Sequence, residues 1–468
     1  MFLMLRLFRQ YYPIRNIFFV IGEGAFIYVS VLTAAYITIG PSVLYEQPWF
    51  YAKLFFITAV CQACLYYNEL YDLSVVSSRK EMAVRLVQAF GVAGIFLGVV
   101  YLAFPGTIIR SVVFMVGVGI VIVLIACWRF GYALVLGRGL FNQQILLLGS
   151  GCLIRKIREE IKVRRDCGYT VALEVPEAVE DGDPERPAEV PLICRHKFEG
   201  LCEMSRGLGI EKIVVSFQQK RSALPTQELL RCRVDGIEII EGNSFYEMLS
   251  GKLMVESINP GWLIFSNGFQ KSRMRRFVKR AADLTLSSAM LIALSPFLLL
   301  VAAAIRLDSP GPVFFQQMRV GERRRIYRMY KFRSMVKDAE NLSGPVWALE
   351  NDPRVTRVGR VLRRLRIDEL PQLLNVVKGE MSFVGPRPER EVFVQELEKI
   401  VPYYGERFSV RPGITGWAQV NYGYGASVRD AAEKLNYDLF YIKNMSNLMD
   451  LLVVLRTIKI LLFGYGAR

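Results

Sequence analysis

Four apolar stretches in the first third of the chain restrict its fold more than any other feature of the sequence. They occupy about residues 16–40, 49–68, 82–104 and 110–136 of the 468. A helix over each would cross a hydrocarbon core of about 30 Å, and the first is too long for a cleaved signal peptide. The loop "GPSVLYEQPW" after the first stretch holds no Lys or Arg, whereas basic residues precede the first stretch and follow the fourth. Because cytoplasmic loops are enriched in Lys and Arg, we predict a transmembrane four-helix bundle at residues 1–142 with both ends in the cytoplasm.

Histidine and cysteine usage argues against several kinds of site. The only histidine is His196, which disfavours a Ser/His/Asp triad and a His-rich metal site; we interpret it as a surface residue. All eight cysteines precede residue 233, and Cys61 and Cys64 form a C-x-x-C within an apolar run. That motif lacks a second pair, so small buried membrane residues are favoured over a redox or zinc site. This cysteine usage is consistent with a reducing cytoplasmic setting.

The segment at about 143–262 alternates between strand-like and helical patterns. "QQILLLGSG" has the pattern of a buried strand that enters a glycine turn, and "CLIRKIREEI" continues as an amphipathic helix. The stretches "TVALEVP", "EKIVVSF" and "GIEIIEG" follow as further strands, which predicts a Rossmann-like α/β domain. After Gly149 and Gly151, Ile154 stands where a dinucleotide fingerprint needs its third glycine, so a plain turn and a cofactor loop both stay open. The acidic "EAVEDGDPERPAEV" predicts a mobile surface loop.

A basic block surrounds a fifth apolar run in the second half of the chain. The formal net charge is +16, and residues 271–340 carry fifteen Lys or Arg against five Asp or Glu. Such a block suits nucleic acid, anionic lipid or a phosphorylated substrate, and the apolar run inside it favours the last two. Ser295 and Pro296 interrupt that run at its middle, and positive charge flanks both of its ends. We predict a re-entrant helix at about 277–305 that enters the membrane, breaks at the proline and returns, with an ordinary kinked span as the alternative.

An acid pair lies between two further helical patterns. In "RVTRVGRVLRRLR" the apolar residues share one helical face and arginines crowd the rest, so this helix suits either an anionic membrane surface or a core-facing position. Asp368 and Glu369 follow it, and Pro371 starts the next helix, "PQLLNVVKG". Backbone N–H groups at a helix start can stabilise a carboxylate or a bound anion. An adjacent acid pair is a solvated surface feature in most proteins, so the motifs around it decide its meaning.

From about Lys279 to the C-terminus the chain resembles the bacterial sugar transferases of the monotopic polyprenyl-phosphate phosphoglycosyl transferase family. The matching stretches are "KRAADLTLSS" with the Ser-Pro break, "SPGPVFFQQMRVG", "YKFRSM", "DELPQLLNVVKGEMSFVGPRPE" and "VRPGITGWAQVNYG". The bundle and the Rossmann-like segment in front resemble the large members that start exopolysaccharide or O-antigen repeat units. The resemblance implies a Rossmann-like cytoplasmic domain at 143–262 and a small α/β catalytic domain at 263–468 with the re-entrant helix and interfacial amphipathic helices.

The resemblance also implies a reaction. Asp368 matches the family's nucleophile, which attacks the sugar-linked phosphate of a UDP-sugar, releases UMP and forms a phosphosugar-aspartate intermediate, so that one transfer becomes two steps. Undecaprenyl phosphate, which stays in the bilayer, then accepts the phosphosugar. Glu369 matches the family's Mg²⁺ ligand. The expected protein is a polyprenyl-phosphate hexose-1-phosphate transferase of the bacterial inner membrane, with its catalytic domain on the cytoplasmic face and no nucleic acid partner.

Further positions match the basic and proline-rich motifs of the family. Pro386, Arg387 and Pro388 match its P-R-P turn, which is associated with the nucleotide and its phosphates. The basic positions expected near phosphates or lipid headgroups are Lys279, Arg280, Lys331 and Arg333. Electrostatic anchoring to lipid is the alternative role for these four. Asp283 matches a recurrent acid, for which pairing with an arginine and a catalytic duty both stay open. Many relatives have a small hydroxyl residue two places before the aspartate, whereas this chain has Arg366, so local substrate contacts are expected to differ.

Two other functions fit parts of the sequence. A membrane-bound sugar-nucleotide dehydratase or epimerase also joins four spans to a Rossmann-like domain, but it needs a complete glycine fingerprint and a separate Tyr-x-x-x-Lys. The only such pattern, Tyr327 to Lys331, lies in the stretch leading to "YKFRSM". A membrane scaffold with a basic face needs no acid pair and would release no UMP. The motifs leave open the sugar, the pathway and the role of the Rossmann-like segment. Glucose or galactose is the first expectation for the sugar, and a homodimer fits the family.

Overall fold

The structure is a computed structural model of the chain. It describes residues 4–7, 10–41, 49–71, 79–107, 109, 111–137, 142–164, 166–176, 200–217, 224–258, 260–266, 268–269, 271–336, 353–423, 425 and 427–463. The predicted acidic loop at 177–190 and His196 lie outside these residues. The chain divides into two compact units, one of Met1–Leu7 and Tyr11–Gly242 and one of Phe8–Gln10 and Asn243–Arg468.

Four long helices follow a short two-stranded sheet at the start of the chain. The strands are β1 (Met4–Leu7) and β2 (Gln10–Pro13), and the helices are α1 (Ile14–Ile39), α2 (Phe50–Tyr67), α3 (Arg79–Ala103) and α4 (Ser111–Gly137). All four are long and apolar enough to cross a membrane, so the predicted apolar helices are confirmed. Buried side chains from each helix form one apolar cluster, among them Ile27, Leu54, Ala93 and Val113. Cys61 and Cys64 lie on α2 with free thiols, the first buried and the second half-buried.

One buried ion pair joins the first and last of these helices. Arg129 on α4 contacts Glu23 on α1 at 2.7 Å, and their side chains are only 3% and 0% exposed. Arg129 also donates a hydrogen bond to the backbone carbonyl of Leu70 at 2.8 Å. Charged side chains inside apolar helices face a partner in the protein interior, and this pair links α1 to α4 there.

A parallel four-stranded sheet forms the rest of the first unit. Its strands are β3 (Gln143–Gly149), β4 (Tyr169–Val175), β5 (Ile210–Ser216) and β6 (Glu238–Glu241), and its helices are α5 (Cys152–Val163), α6 (Leu201–Gly207) and α7 (Thr226–Val234). The strand order is β4-β3-β5-β6, so the four predicted strands and the α/β alternation are confirmed. Gly149 has φ +124°, and a Cβ there would lie 1.7 Å from the carbonyl oxygen of Ser216. The close approach of β5 to the end of β3 therefore requires this glycine whether or not the turn binds a cofactor.

The second unit mixes helices with two small sheets. Its helices are α8 (Gly242–Ser250), α9 (Pro260–Phe265), α10 (Arg273–Asp308), α11 (Arg357–Arg364), α12 (Gln372–Lys378), α13 (Glu391–Ile400), α14 (Trp417–Asn421), α15 (Val428–Asn444) and α16 (Asn447–Phe463). The strands β7 (Phe314–Val320) and β8 (Ile326–Phe332) form an antiparallel hairpin, and β9 (Ser382–Val384) pairs in parallel with β10 (Gly413–Thr415). Its main core contains the fully buried Trp417, Leu439 and Phe440.

The segment after Gly242 packs on α15. The backbone N–H of Leu253 donates to the carbonyl of Asn436 at 3.0 Å, and Lys443 donates to the carboxylate of Glu247 at 2.6 Å. The two compact units divide after Gly242, and the domain boundary at 262 stays a prediction.

Helix α10 contains the predicted apolar run and its Ser-Pro break. It has 36 residues with Pro296 inside it. Pro296 has no N–H for the carbonyl of Ile292, and the hydroxyl of Ser295 donates to that carbonyl at 2.8 Å instead. The serine thus satisfies a carbonyl that a membrane could not satisfy. The re-entrant path of this helix stays a prediction.

Both ends of α10 are held by the second unit. Near its start, the carboxylate of Asp283 accepts hydrogen bonds from Ser382 Oγ at 2.8 Å and from the N–H of Phe383 at 3.0 Å. Near its end, Arg333 donates to the carbonyls of Ile305 at 3.3 Å and Ser309 at 2.6 Å. The described partners of Asp283 are thus a hydroxyl and a backbone N–H.

Helix α11 covers only the middle of the amphipathic stretch "RVTRVGRVLRRLR". The side chain of Thr356 accepts a hydrogen bond from the N–H of Gly359 and begins the helix, which ends at Arg364. Leu362 is buried in a cluster with Val301 and Ile305 of α10. Val358 and Leu362 therefore pack in the protein, whereas Leu365 on the same predicted face is 53% exposed. The membrane-surface role and the core-facing role of this helix both stay predictions.

Candidate active site

The acid pair lies in one turn between α11 and α12. Arg366 adopts a left-handed backbone conformation, residues Ile367–Glu369 form a single 3₁₀ turn, and α12 begins after Pro371. Asp368 is 9% exposed and Glu369 is 8% exposed. The predicted proline-initiated helix is confirmed, and the two carboxyls are buried rather than solvated.

Two cations hold Glu369. Lys331 Nζ on β8 donates to Glu369 Oε1 at 2.8 Å, and the Arg387 guanidinium donates to the same oxygen at 2.9 Å. A third cation, Arg366, lies 4.0 Å from Oε2. Burial alone would raise the pKa of Glu369, but the charges of Arg387 and Lys331 outweigh burial and hold that pKa well below its usual range. Glu369 is therefore ionised throughout the physiological range.

Asp368 has a different environment. Its carboxylate accepts no hydrogen bond from any residue that the structure describes. Burial raises the pKa of Asp368 to about 6, with the adjacent charge of Glu369 acting in the same direction and the Lys331 charge acting against it. At neutral pH the Asp368 carboxylate is mostly ionised, yet it is more basic than an ordinary aspartate, and its oxygens accept no hydrogen bond from the described residues.

The P-R-P turn places Arg387 at the acid pair through backbone contacts on either side. The carbonyl of Pro386 accepts from the N–H of Gly413 at 2.9 Å, and the carbonyl of Pro388 accepts from Arg319 at 3.1 Å. The carbonyl of Arg387 accepts from Arg407 at 2.9 Å. Each peptide of the turn is thus fixed, which limits the positions that the Arg387 guanidinium can reach.

Sequence reasoning missed Arg407 and Arg319. Arg407 is 6% exposed and pairs with the buried Asp438 at 2.9 Å, and Arg319 pairs with Glu389 at 3.3 Å. Arg319 lies in the matching stretch "SPGPVFFQQMRVG", which is a signal for it, whereas Arg407 lies outside the matching stretches and no signal short of the fold marks it.

The other predicted basic residues lie against backbone carbonyls. Lys279 donates to the carbonyl of Val384 and to Asp450 at 3.0 and 2.7 Å. Arg280 donates to the last carbonyls of α12, those of Val376 and Val377, at 2.5 and 2.8 Å. Arg333, described above, caps the end of α10. The structure therefore brings Lys331 and Arg387 to the acid pair, and it places Lys279, Arg280 and Arg333 in contacts that fasten α10 to the rest of the unit.

Comparison with known proteins identifies the family. The family model described as bacterial sugar transferase matches residues 274–464. The exopolysaccharide production protein PSS of Rhizobium leguminosarum bv. phaseoli is 45% identical over 186 residues, which are 39% of this chain and 93% of that protein. The chain belongs to the bacterial sugar transferase family. The family that the sequence motifs predict is thereby confirmed.

Longer relatives of this sugar transferase carry more specific names. The UDP-N-acetylgalactosamine-undecaprenyl-phosphate N-acetylgalactosaminephosphotransferase of Aeromonas hydrophila is 43% identical over 240 residues, 51% of this chain and 56% of that protein. The undecaprenyl-phosphate glucose phosphotransferase of Komagataeibacter xylinus is 47% identical over 194 residues, 40% of this chain and 36% of that protein. The chain thus spans about half the length of the first and about a third of the second.

Proposed function

We propose that this sugar transferase moves a phosphosugar from a UDP-sugar to undecaprenyl phosphate and releases UMP, as the first membrane step of exopolysaccharide or O-antigen synthesis. The observation that carries the proposal is the buried acid pair, in which Lys331 and Arg387 bind Glu369 and leave the Asp368 carboxylate without a hydrogen bond in the described part of the chain. The names of the Aeromonas and Komagataeibacter relatives support the acceptor and the class of reaction.

Asp368 is the proposed nucleophile. In the first step an Asp368 carboxylate oxygen forms a bond to the sugar-linked phosphorus, the bond from that phosphorus to the bridging diphosphate oxygen breaks, and UMP leaves with the electron pair. In the second step an oxygen of undecaprenyl phosphate attacks the same phosphorus, and Asp368 departs as a carboxylate. A carboxyl pKa of about 6 supports this role, because the group is ionised at neutral pH and still basic.

Glu369 is the proposed Mg²⁺ ligand. No group of three His, Cys, Asp or Glu side chains able to hold a metal ion occurs among the described residues. Mg²⁺ is commonly bound by one or two carboxylates together with substrate phosphates and waters. Glu369 fits that pattern, because it is ionised and its Oε2 accepts no hydrogen bond within the described residues. When bound there, Mg²⁺ would neutralise charge on the diphosphate and on the departing UMP.

The membrane arrangement is part of the same proposal. Helices α1 to α4 form a transmembrane bundle, and α10 enters the bilayer, breaks at Ser295 and Pro296 and returns, so that the catalytic unit stays on the cytoplasmic face of the inner membrane. Support comes from the anchoring of both ends of α10 in one compact unit. The hydroxyl of Ser295 also satisfies the carbonyl that the proline leaves unpaired. An acceptor confined to the bilayer requires a nucleophile held at its surface.

The test is release of UMP by the detergent-purified protein with Mg²⁺, a panel of UDP-sugars and no lipid acceptor. We expect one equivalent of UMP and an intact mass increased by one phosphosugar with a single sugar of the panel. Asp368→Asn should abolish both while its membrane insertion is retained. Glu396→Gln, on an exposed position of α13, is the matched control for loss of a carboxylate and should behave as wild type.

Two outcomes would contradict this proposal. Substantial transfer by Asp368→Asn would exclude Asp368 as the nucleophile. No release of UMP with any sugar, even after undecaprenyl phosphate is added, would exclude the reaction itself.

A further inference from the structure

The backbone of Arg366 is unusual for its residue type. Its φ is 55° and its ψ is 22°, a left-handed conformation that glycine adopts readily and that strains a residue with a Cβ. The conformation is needed locally: the N–H of Arg366 donates to the carbonyl of Arg363 at 3.2 Å, and the carbonyl of Arg366 accepts from the N–H of Glu369 at 3.3 Å. These bonds close the turn that carries the acid pair. Glycine would satisfy the same backbone at less strain, so the turn alone does not explain an arginine.

The side chain of Arg366 lies on a different side of Glu369 from the other two cations. Lys331 and Arg387 both bind Oε1, whereas Arg366 approaches Oε2 at 4.0 Å, which is too long for a hydrogen bond. The Arg366 side chain is 37% exposed, against 11% for Glu369. It therefore combines a position beside the acid pair with access to an incoming ligand.

The charge balance of this turn favours an anion. Lys331, Arg366 and Arg387 each lie within 4.0 Å of a carboxylate oxygen of Glu369, so three positive charges face this one carboxylate. A guanidinium presents two parallel donors that match a phosphate. Strained residues in a well-packed setting also concentrate at ligand-binding positions.

We propose that Arg366 is a donor-binding residue whose guanidinium contacts the diphosphate of the nucleotide-sugar on the Oε2 side of Glu369. This inference rests on the proposed function. It assigns Arg366 to ground-state binding of the donor and leaves the nucleophilic step to Asp368. Loss of the guanidinium should therefore raise the KM for the UDP-sugar by about tenfold or more, the effect of losing one charged hydrogen bond, with a smaller change in kcat.

Three variants separate charge from backbone strain. Arg366→Ala removes the charge and keeps the strain, Arg366→Gly removes both, and Arg366→Lys keeps a charge without the two parallel donors. Arg360→Ala, an exposed arginine on α11, controls for the loss of one charge from the same basic stretch. Affinity for UDP in the presence of Mg²⁺ is measured by calorimetry, and KM and kcat are measured with the UDP-sugar.

We expect Arg366→Ala and Arg366→Gly to weaken UDP binding and to raise KM alike, Arg366→Lys to fall between them and wild type, and Arg360→Ala to match wild type. The glycine variant should melt about 2–4 °C above the alanine variant, because it relieves the strain. The inference is overturned if the glycine variant binds UDP as wild type does, or if the variants lower kcat without weakening UDP binding. A wild-type protein that neither binds UDP nor releases UMP would instead refute the proposed function, so the two failures are distinguishable.

Discussion

Lys331 and Arg387 donate hydrogen bonds to the same atom, Glu369 Oε1, at 2.8 and 2.9 Å. We expect their contributions to stability to be non-additive, because either cation alone can supply a charged donor to that oxygen. The perturbations are Lys331→Met, Arg387→Met and the double variant, which remove the donors and keep flexible aliphatic side chains of similar length.

The magnitudes follow from the exposure of the three side chains. Arg387 is 42% exposed and Lys331 is 18% exposed, so we expect losses of about 1 kcal/mol for Arg387→Met and about 1.5 kcal/mol for Lys331→Met. The double variant leaves the Glu369 side chain, which is 11% exposed, without a charged donor on Oε1. An uncompensated buried charge costs about 3–5 kcal/mol, so the double variant should lose about 0.5–2.5 kcal/mol more than the sum of the single variants.

Wild type, the two single variants and the double variant form a double-mutant cycle. The stability of each is measured by thermal unfolding of the detergent-purified protein, in EDTA and without nucleotide. For a unit of this size, 1 kcal/mol corresponds to about 2–4 °C in Tm. The cycle is repeated in a Glu369→Gln background, where the charge that both cations bind is gone and the interaction energy should collapse. A double variant equal to the sum of the singles within about 0.5 kcal/mol would refute the reasoning. So would an unchanged interaction energy in the glutamine background.

Two further predictions concern a helix cap and the Ser-Pro break. Ser427→Ala should lower stability by about 1 kcal/mol at pH 7, because Ser427 and Asp430 form a capping box at the start of α15. The hydrogen bonds from Ser427 and Tyr422 lower the pKa of Asp430 from 3.8 to about 2, so their contribution is present above pH 3.8 and lost as the pH falls toward 2. Thermal unfolding of wild type and variant across that range is the measurement, and a deficit that does not shrink in acid contradicts it. Replacing both Ser295 and Pro296 by Ala restores the N–H for the carbonyl of Ile292 and should favour a helix that spans the membrane. A C-terminal tag should then move to the opposite face of the membrane, which is measured by its accessibility in sealed vesicles. Unchanged tag accessibility argues against the proposed re-entrant path.

Local patterns predicted the parts of this fold that depend on local physics. The apolar helices follow from runs of apolar residues long enough to span a bilayer, and the strands β3 to β6 follow from short apolar runs between turn signals. Pro371 marks the start of α12 for the same kind of reason, since its fixed φ and missing N–H suit the first turn of a helix. In each case the determining residues lie within a few positions of one another.

The contacts of the candidate site could not be predicted in that way. Glu369 is 38 positions from Lys331 and 18 from Arg387, and only the packing of β8 and of the loop after β9 brings them together. Lys331 and Arg333 are only two positions apart, yet Lys331 lies in β8 and donates to Glu369, whereas Arg333 follows the last residue of β8 and donates to the end of α10. Sequence motifs mark these residues without distinguishing their contacts.

The difference between the two acids arises from the placement of the cations and not from the acids themselves. Asp368 and Glu369 share one turn and nearly equal burial, so desolvation disfavours the ionised form of each, and the charge of Glu369 also raises the pKa of Asp368. Lys331 and Arg387 both donate to Glu369, which keeps that residue ionised, and a proton taken up by the pair therefore resides on Asp368. A carboxylate that carries no hydrogen bond among the described residues and has a pKa of about 6 is the stronger base and the freer nucleophile of the two. The residues that decide which acid reacts are thus the cations of β8 and of the P-R-P turn, because moving their hydrogen bonds to Asp368 would exchange the two roles.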